Sequence, residues 1–216
     1  MEKEKEPFFT AKEFSVFSIE GLEERMKEIK TYIQPKFSYL GKLISESLES
    51  ELDGAVLPVH VAKHLRRTKF APENTWVGIG GDARGYKKYP HFQIAINKNA
   101  VYIWLAFIDN PQFEKEMAAC FLKDTASIKQ LSEEYIISLD HTKDQVTPIK
   151  EVDIAAALTR WQKVKKGEFM IGRCLKKEDS ILNDAEQTEQ FILNTVCELI
   201  PIYKQAYAAY PKEMVQ

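Results

Sequence analysis

The fold is decided by the stretch Leu57–Asp109, which reads LPVHVAKHLRRTKFAPENTWVGIGGDARGYKKYPHFQIAINKNAVYIWLAFID. Apolar residues alternate with other residues around Val59–Val61, Val77–Ile79 and Phe92–Ile96, and a period of two is that of a half-buried β-strand. The segment Val101–Ile108 is apolar on both faces, which is typical of a covered strand in the middle of a sheet. The stretch therefore predicts a cluster of strands.

Two short segments inside this stretch have the composition of turns. Gly80–Gly85 is rich in glycine, and Asn97–Asn99 has one asparagine on each side of a lysine. Glycine and asparagine tolerate the backbone angles that tight hairpin turns need. Consecutive strands are therefore expected to run antiparallel.

The chain before this stretch has the period of helices. Leu22, Met26, Ile29 and Ile33 share one face of a predicted helix, because their spacings are four, three and four residues. Pro35 is expected to interrupt that helix, since proline lacks the N–H and clashes with the preceding turn. A second helical run then follows, which carries Phe37, Leu40, Ile44 and Leu48.

The chain after the stretch predicts more helices and two further strands. Helices are expected from Pro111, over 151–166 and at the end of the chain, where Ile192–Tyr207 shows the clearest helical spacing. Segments 135–139 and 168–175 are predicted to be strands. The sequence thus predicts one α+β domain over residues 8–210, with a mainly antiparallel β-sheet covered by N-terminal and C-terminal helices, and frayed tails at 1–7 and 211–216.

Composition limits the classes of function. The 216 residues include 30 Lys+Arg and 32 Asp+Glu, so the net charge of −2 predicts no general attraction to nucleic acid or membranes. The apolar run 100–108 is too short to span a bilayer as a helix, and the N-terminus lacks the pattern of a secretory signal. Three cysteines without a CxxC pair fit a reducing compartment, so a cytoplasmic protein is expected.

Positive charge is nevertheless concentrated locally. Residues 58–93 contain seven basic and two acidic residues, a balance of +5. Such a cluster indicates either a phosphate or carboxylate site or a strand edge protected by charge. The candidate ligand-binding residues are Lys63, His64, Arg66, Arg67, Arg84, Lys87, His91 and Gln93.

Two more specific interpretations, a dinucleotide-binding motif and a metal site, are excluded by the surrounding sequence. The segment Gly78–Ala83 has the spacing of a dinucleotide fingerprint, but a proline and an alternating segment follow it where the fingerprint needs a helix. His60 and His64 have the spacing of a helical metal pair, yet on a strand their side chains lie roughly 13 Å apart. We therefore predict no metal and no cofactor. His91 and His141 remain candidates for catalytic residues.

Seven motifs in order along the chain resemble one known family. They are VAKHLRR (61–67), NTW (74–76), RGYK (84–87), PHFQ (90–93), SLDH (138–141), KKGE (165–168) and GR (172–173). Together they resemble the YktB family of Bacillus-type bacteria. The resemblance implies a cytosolic α+β protein with an antiparallel sheet, and it implies no catalytic residue because that family has no assigned activity.

Three hypotheses for function stay open at this point. The first is a binding module for a small phosphorylated or carboxylated ligand. The second is an enzyme in which His91 or His141 acts as general acid or base beside that ligand. The third is a nucleic-acid or protein interaction domain that uses the same basic residues. The sequence predicts neither the ligand nor the oligomeric state.

Overall fold

The computed structural model describes residues 7–108 and 110–211. Over these residues the chain forms one antiparallel sheet of seven strands in the order β1-β2-β3-β4-β7-β5-β6. The strands are β1 (Val59–Val61), β2 (Asn74–Gly80), β3 (His91–Asn97), β4 (Ala100–Phe107), β5 (Ile136–Ser138), β6 (Thr147–Pro148) and β7 (Phe169–Lys176).

Helices precede the sheet, connect its later strands and follow it. They are α1 (Ala11–Ser15), α2 (Leu22–Glu28), α3 (Gln34–Glu49), α4 (Glu114–Lys123), α5 (Ala126–Lys129), α6 (Ile154–Lys163) and α7 (Ala185–Tyr207). α7 carries a buried stripe that includes Ile192, Val196 and Leu199. A fold of this kind is α+β, with both ends of the chain contributing helices, as the sequence predicts.

The predictions for the central stretch are confirmed. β4 has strands on both sides, and its apolar residues are buried on both faces. β3 and β4 are joined by Lys98 and Asn99 alone, and the side chain of Asn97 accepts hydrogen bonds from the backbone N–H groups of Asn99 and Ala100. A two-residue loop sets the register of the hairpin, so that each residue of β3 faces a defined residue of β4.

The first face of the sheet packs against helices and holds the main core. Val77, Ile94 and Ile103 lie side by side on this face and are fully buried. α3 lies over β1 and β2, whereas α7 lies over β4 and β7. Burying one large apolar side chain stabilises the folded state by about 1.5–3 kcal/mol, so this layer is the main source of stability.

The predicted interruption at Pro35 is wrong in form. The chain stays helical from Leu22 to Glu49, with a π-helical turn at Ile29–Ile33 between α2 and α3. Pro35 lies in the first turn of α3, where its missing N–H is tolerated. The π-helical hydrogen-bond pattern that precedes Pro35 lets the helix continue without a break.

The predicted frayed tails at 1–7 and 211–216 fall almost entirely outside the described residues. Only Pro7 and Pro211 of those tails are described, and both are exposed. No described helix combines the length and the apolar composition that are needed to cross a membrane.

Candidate functional site

The second face of the sheet carries a smaller apolar cluster and most of the polar strand residues. Alternate residues of each strand point to this face. One row of them crosses the sheet and consists of Gly78, Gln93, Trp104, Gly172 and Ile136. The buried members of its apolar cluster are Trp104, Ala106, Ile108, Ile136 and Met170. None of these five residues belongs to a helix.

A groove runs over this second face. Its cavity has a volume of about 60 Å³, which is room for the head group of a small ligand. The polar and charged side chains that line it are Asn74, Lys87, Gln93, Asn97, Ser138, His141, Lys143 and Asp144. Trp76, Tyr102, Trp104, Val146 and Met170 add aromatic and apolar surface. Aromatic walls with a few converging polar groups are typical of small-molecule sites.

Tyr102 and Trp104 form an aromatic pair in this groove. Their ring centroids lie 5.7 Å apart and their planes differ by 6°, so the two rings are nearly parallel. Burial raises the pKa of Tyr102, and its phenol therefore stays an O–H donor at neutral pH. The pair offers a planar apolar surface against which a flat group can pack.

Two glycines make room for aromatic rings on the second face. A Cβ at Gly78 would lie 2.9 Å from the ring of Tyr86, and a Cβ at Gly172 would lie 2.9 Å from Cε3 of Trp104. The hydroxyl of Tyr86 accepts a hydrogen bond from Nε1 of Trp76 at 2.5 Å. Glycine at these strand positions thus lets the rings that border the groove lie close to the backbone.

Gln93 is the buried polar residue of the groove. The residue is 6% exposed; its side chain interacts with that of His91, and its Oε1 has no partner at hydrogen-bond geometry in the part of the chain that the structure describes. An unpaired buried amide oxygen costs about 1–3 kcal/mol, so such groups are rare unless a ligand or water completes them. Gln93 is therefore a buried lining residue of the groove whose amide oxygen lacks a partner at hydrogen-bond geometry.

His141 and Glu168 form a bonded pair at the groove. Nδ1 of His141 lies 2.7 Å from Oε1 of Glu168, and the backbone N–H of His141 donates to Oε2 at 2.7 Å. A carboxylate only accepts, so Nδ1 carries the hydrogen and donates it to Glu168. In the neutral imidazole Nε2 is then an acceptor, and the His141 side chain is 31% exposed and lines the groove.

The loop that carries His141 is held by local hydrogen bonds. Asp140 accepts from the backbone N–H of Thr142 at 3.0 Å, from the Thr142 hydroxyl at 2.6 Å and from Lys143 Nζ at 3.1 Å. These bonds lower the pKa of Asp140 to about 2, with the Thr142 hydroxyl as the largest cause. Asn97 donates to Asp144 at 3.1 Å and thereby ties the β3–β4 hairpin to this loop.

The structure brings three of the predicted site residues together. Lys87, Gln93 and His141 line the groove. His91 lies on the same strand face as Gln93 but is fully buried, with Nδ1 2.9 Å from the carbonyl of Tyr89 and its ring 4.6 Å from that of Tyr86. His91 therefore packs beside the groove and does not line it.

The remaining basic candidates lie elsewhere. Lys63, Arg66 and Arg67 are exposed on the loop between β1 and β2, and Arg84 is exposed in the turn after β2. His64, on the same loop as Arg66, is bonded to the Thr75 hydroxyl at 2.9 Å. Their roles in ligand or nucleic-acid binding stay predictions.

Several residues of the groove are absent from the candidates that the sequence indicates. Glu168 was not a candidate, and neither were the aromatic pair or Asn97, Ser138, Lys143 and Asp144. One signal was present for part of this set. The two-residue loop after Asn97 pairs Gln93 with Trp104, so the hairpin alone places the aromatic pair beside Gln93.

Burial keeps His91 neutral and makes the stability of the protein depend on pH. Burial lowers the pKa of His91 to about 4, and the Tyr89 carbonyl and the Gln93 side chain oppose this shift without cancelling it. Burial also lowers the pKa of His64 to about 4, with a smaller contribution from Arg67. Both values lie below the ordinary pKa of about 6.5 for an unfolded histidine.

We expect acid to destabilise the fold between pH 6.5 and 4. In that window the unfolded chain binds protons that the folded chain excludes, so the stabilisation is complete above pH 6.5 and is lost as the pH falls through 4. His91 should account for up to about 3 kcal/mol of this loss, since one pKa unit corresponds to about 1.4 kcal/mol. Urea unfolding at pH 7, 5.5 and 4 measures it, and His91→Gln should flatten the dependence. Equal slopes for the two proteins would contradict this assignment.

No group of three or more His, Cys, Asp or Glu residues in the described ranges is placed to hold a metal ion. The ring nitrogens nearest the groove are occupied on one side, since Nδ1 of His141 is bonded to Glu168 and Nδ1 of His91 to a carbonyl. The donors of the groove suit hydrogen bonding to an organic ligand.

Comparisons with known proteins agree with the resemblance seen in the motifs. Residues 9–203 match the family model described as "Domain of unknown function (DUF1054)". The chain is similar to a "UPF0637 protein" of Enterococcus faecalis, with 46% identity over 200 residues that cover 93% of this chain and 98% of the relative. It is also similar to a "UPF0637 protein" of Lactococcus lactis, with 42% identity over 91% of this chain and 98% of the relative. A relative from Oceanobacillus iheyensis is 39% identical over 92% of this chain and 96% of its own length.

Proposed function

The chain belongs to the DUF1054 family, and we propose that it binds a small planar carboxylate that also carries an N–H group, in the groove on the second face of its sheet. The observation that carries the proposal is Gln93, a buried residue that lines the groove and whose Oε1 has no partner at hydrogen-bond geometry among the described residues. A ligand that donates an N–H to this oxygen would remove the cost of leaving it unpaired.

The aromatic pair supports the planar character of the ligand. Tyr102 and Trp104 lie nearly parallel beside Gln93, and Trp104 is the direct cross-strand neighbour of Gln93. A flat amide or ring that bonds to Gln93 would therefore meet aromatic surface at the same time. Packing against aromatic rings is worth about 0.5–1.5 kcal/mol beyond the area it buries.

Lys87 and Lys143 support a carboxylate on the ligand. Both line the groove, where Asp144 is the only acidic lining residue in the described ranges. Lys143 is bonded to Asp140 at its exposed end, and an exposed ion pair of this kind exchanges partners at little cost. An anionic group at the rim would thus find positive charge, in keeping with the small anionic ligand that the sequence predicts.

Replacement of Gln93 tests this proposal. We expect Gln93→Met to stabilise the free protein by about 1 kcal/mol, because the variant removes an unpaired buried oxygen and keeps the volume. The same change should abolish the rise in melting temperature that N-benzoylglycine and N-acetylglycine produce in the unchanged protein. Differential scanning fluorimetry and urea unfolding measure both effects.

Gln130→Met is the matched control, because Gln130 is exposed, directly follows the short helix α5 and does not line the groove. It should change the stability by less than about 0.5 kcal/mol and leave the ligand effect unaltered. The proposal fails if neither compound stabilises the unchanged protein, or if Gln93→Met responds to them as the unchanged protein does.

A further inference from the structure

We propose that His141, oriented by Glu168, is a general base and that the protein hydrolyses the amide bond of a small N-acylated carboxylate held in the groove. The inference rests on the proposed binding function, because the same groove holds the substrate. It adds a reaction and two residue roles to that function. His141 would contact the attacking water, and Glu168 would act as a positioning residue behind it.

The first support is the way in which His141 is held. Glu168 accepts from both the ring Nδ1 and the backbone N–H of His141, each at 2.7 Å. These two hydrogen bonds to one carboxylate fix both the orientation and the tautomer of the His141 ring. A histidine that donates from Nδ1 to a carboxylate has Nε2 available as a base, which is the arrangement that general-base catalysis requires.

The second support is the burial of the carboxylate. The side chain of Glu168 is 10% exposed, whereas that of His141 is 31% exposed. The charge therefore lies behind the imidazole and away from water, where it stabilises the imidazolium that forms during proton transfer. A pair placed for surface stability alone would gain little from such an arrangement.

Water is the nucleophile that the groove favours. Ser138 also lines the groove, but its hydroxyl donates to the carbonyl of Asp140 at 3.2 Å and accepts from the Asp140 N–H at 3.4 Å. Its hydrogen is thus directed to the loop backbone. A water molecule on Nε2 of His141 has no such competing bond to break.

The reaction balances with water as the one co-reactant. Nε2 takes a proton from water as the water oxygen forms a bond to the carbonyl carbon of the amide, and the π electron pair of the C=O bond moves to the carbonyl oxygen to give an oxyanion. Lys87, which lines the groove, supplies positive charge near the oxyanion. The C–N bond then breaks, its electron pair stays on nitrogen, and the imidazolium returns the proton to that nitrogen. The products are a carboxylic acid and a free amine, which exchange one proton at neutral pH to become a carboxylate and an ammonium group, and nothing is oxidised or reduced.

The two binding groups are consistent with this substrate. The N–H of the amide would donate to Oε1 of Gln93, and the carboxylate would lie at Lys143 on the rim. Gln93 and His141 line the same cavity of about 60 Å³, which is large enough for an amide group and one water molecule. The flat amide would then lie against the aromatic pair.

The experiment measures free glycine released from N-benzoylglycine and N-acetylglycine by the full chain. We expect turnover by the unchanged protein and a loss on the order of 100-fold in kcat for His141→Gln, the size of a typical general-base contribution. His141→Gly should regain part of the rate when imidazole is added, which a purely structural defect would not do. The proposal is overturned if neither compound is hydrolysed, or if His141→Gln keeps the rate of the unchanged protein.

Glu168→Gln tests the positioning role. The variant keeps an acceptor for His141 but loses the charge, so kcat should fall at least tenfold while KM stays within about twofold. Nitrogen-15 NMR of labelled histidine should show hydrogen on Nδ1 of His141 in the unchanged protein and a mixture of tautomers in the variant. Glu133→Gln is the matched control, because Glu133 is exposed and is paired with Lys150. A parallel loss of activity in that control, or an unchanged kcat in Glu168→Gln, would refute the role of Glu168.

The two proposals fail in different ways. If the compounds raise the melting temperature through Gln93 but no glycine is released, binding stands and hydrolysis is wrong. If they neither bind nor react, both proposals are wrong.

Discussion

Replacement of Gly172 by alanine should cost more than about 4 kcal/mol of stability, because no space exists for a Cβ. Gly172 lies on β7 between Trp104 of β4 and Ile136 of β5. A Cβ at this position would lie 1.8 Å from the carbonyl oxygen of Ile103 and 2.8 Å from its carbon. These are backbone atoms of the neighbouring strand, so a rotamer change cannot relieve the contact.

The consequence of Gly172→Ala reaches the groove as well. β7 would have to move away from β4, and the ladder between these strands holds the centre of the sheet. The added carbon would also press on Trp104, which forms part of the aromatic pair. We therefore expect a variant that is largely unfolded or has lost the groove, as read from circular dichroism and urea unfolding.

Gly85→Ala is the control for this experiment. A Cβ at Gly85 meets nothing within 4 Å, and its backbone does not require glycine. Its stability should stay within about 0.5 kcal/mol of that of the unchanged protein. A Gly172→Ala variant within 1 kcal/mol of the unchanged protein would show that the two strands are able to separate more easily than their spacing implies.

Trp161→Ala is expected to destabilise the protein by about 3–5 kcal/mol, the range for removing a large buried ring. Trp161 of α6 is fully buried, and its ring lies 5.1 Å from that of Phe107 and 5.9 Å from that of Phe169. These contacts join α6 to the ends of β4 and β7. Equilibrium unfolding in urea, with tryptophan fluorescence replaced by circular dichroism, measures the loss.

Trp161→Phe separates the packing of the ring from its polar atom. Nε1 of Trp161 is buried and has no hydrogen-bond partner over the described residues, so phenylalanine removes that unpaired donor while it keeps much of the volume. The expected loss is only about 1 kcal/mol. Equal losses in the alanine and phenylalanine variants would mean that the indole nitrogen, and not the cavity, decides the stability.

Trp161 also packs close to the residue that precedes Glu168 of the candidate site. The N–H of Gly167 donates to the carbonyl of Val164, and a Cβ at Gly167 would lie 2.8 Å from the carbonyl oxygen of Trp161. The end of α6 and the start of β7 are therefore packed tightly at the residue that precedes Glu168. A cavity at Trp161 should loosen Glu168 and, with it, the orientation of His141.

Much of the sheet could be predicted because its signals are local. The alternation in β2 and β3, the apolar run of β4 and the two-residue loop after Asn97 each depend on residues close together in sequence. Period and turn chemistry act within a few residues, so one segment can be interpreted without the others. Pro35 shows the limit of that approach, since a π-helical turn accommodated it without a break.

The candidate site could be predicted only in part. Local positive charge made Arg66, Arg67 and Arg84 candidates for ligand binding. These arginines are exposed on loops, and the sequence does not show whether residues of that kind lie on one common surface. The groove instead combines Lys87 and Gln93 with residues from the distant segment Ser138–Asp144. Composition counts charges along the chain, whereas a site depends on which strands become neighbours.

The sequence by itself determined six of the seven strands, the closing helix, the strand face that carries both His91 and Gln93, and the family, whereas β6 (Thr147–Pro148) was not predicted. Only the tertiary structure decided which face of the sheet forms the groove. It also decided that Glu168 contacts His141. β7 enters the sheet between β4 and β5, although it follows both in the chain. That insertion brings together two residues that are 27 positions apart, and its cause is the burial of β7 against strands on both sides, which no local pattern encodes.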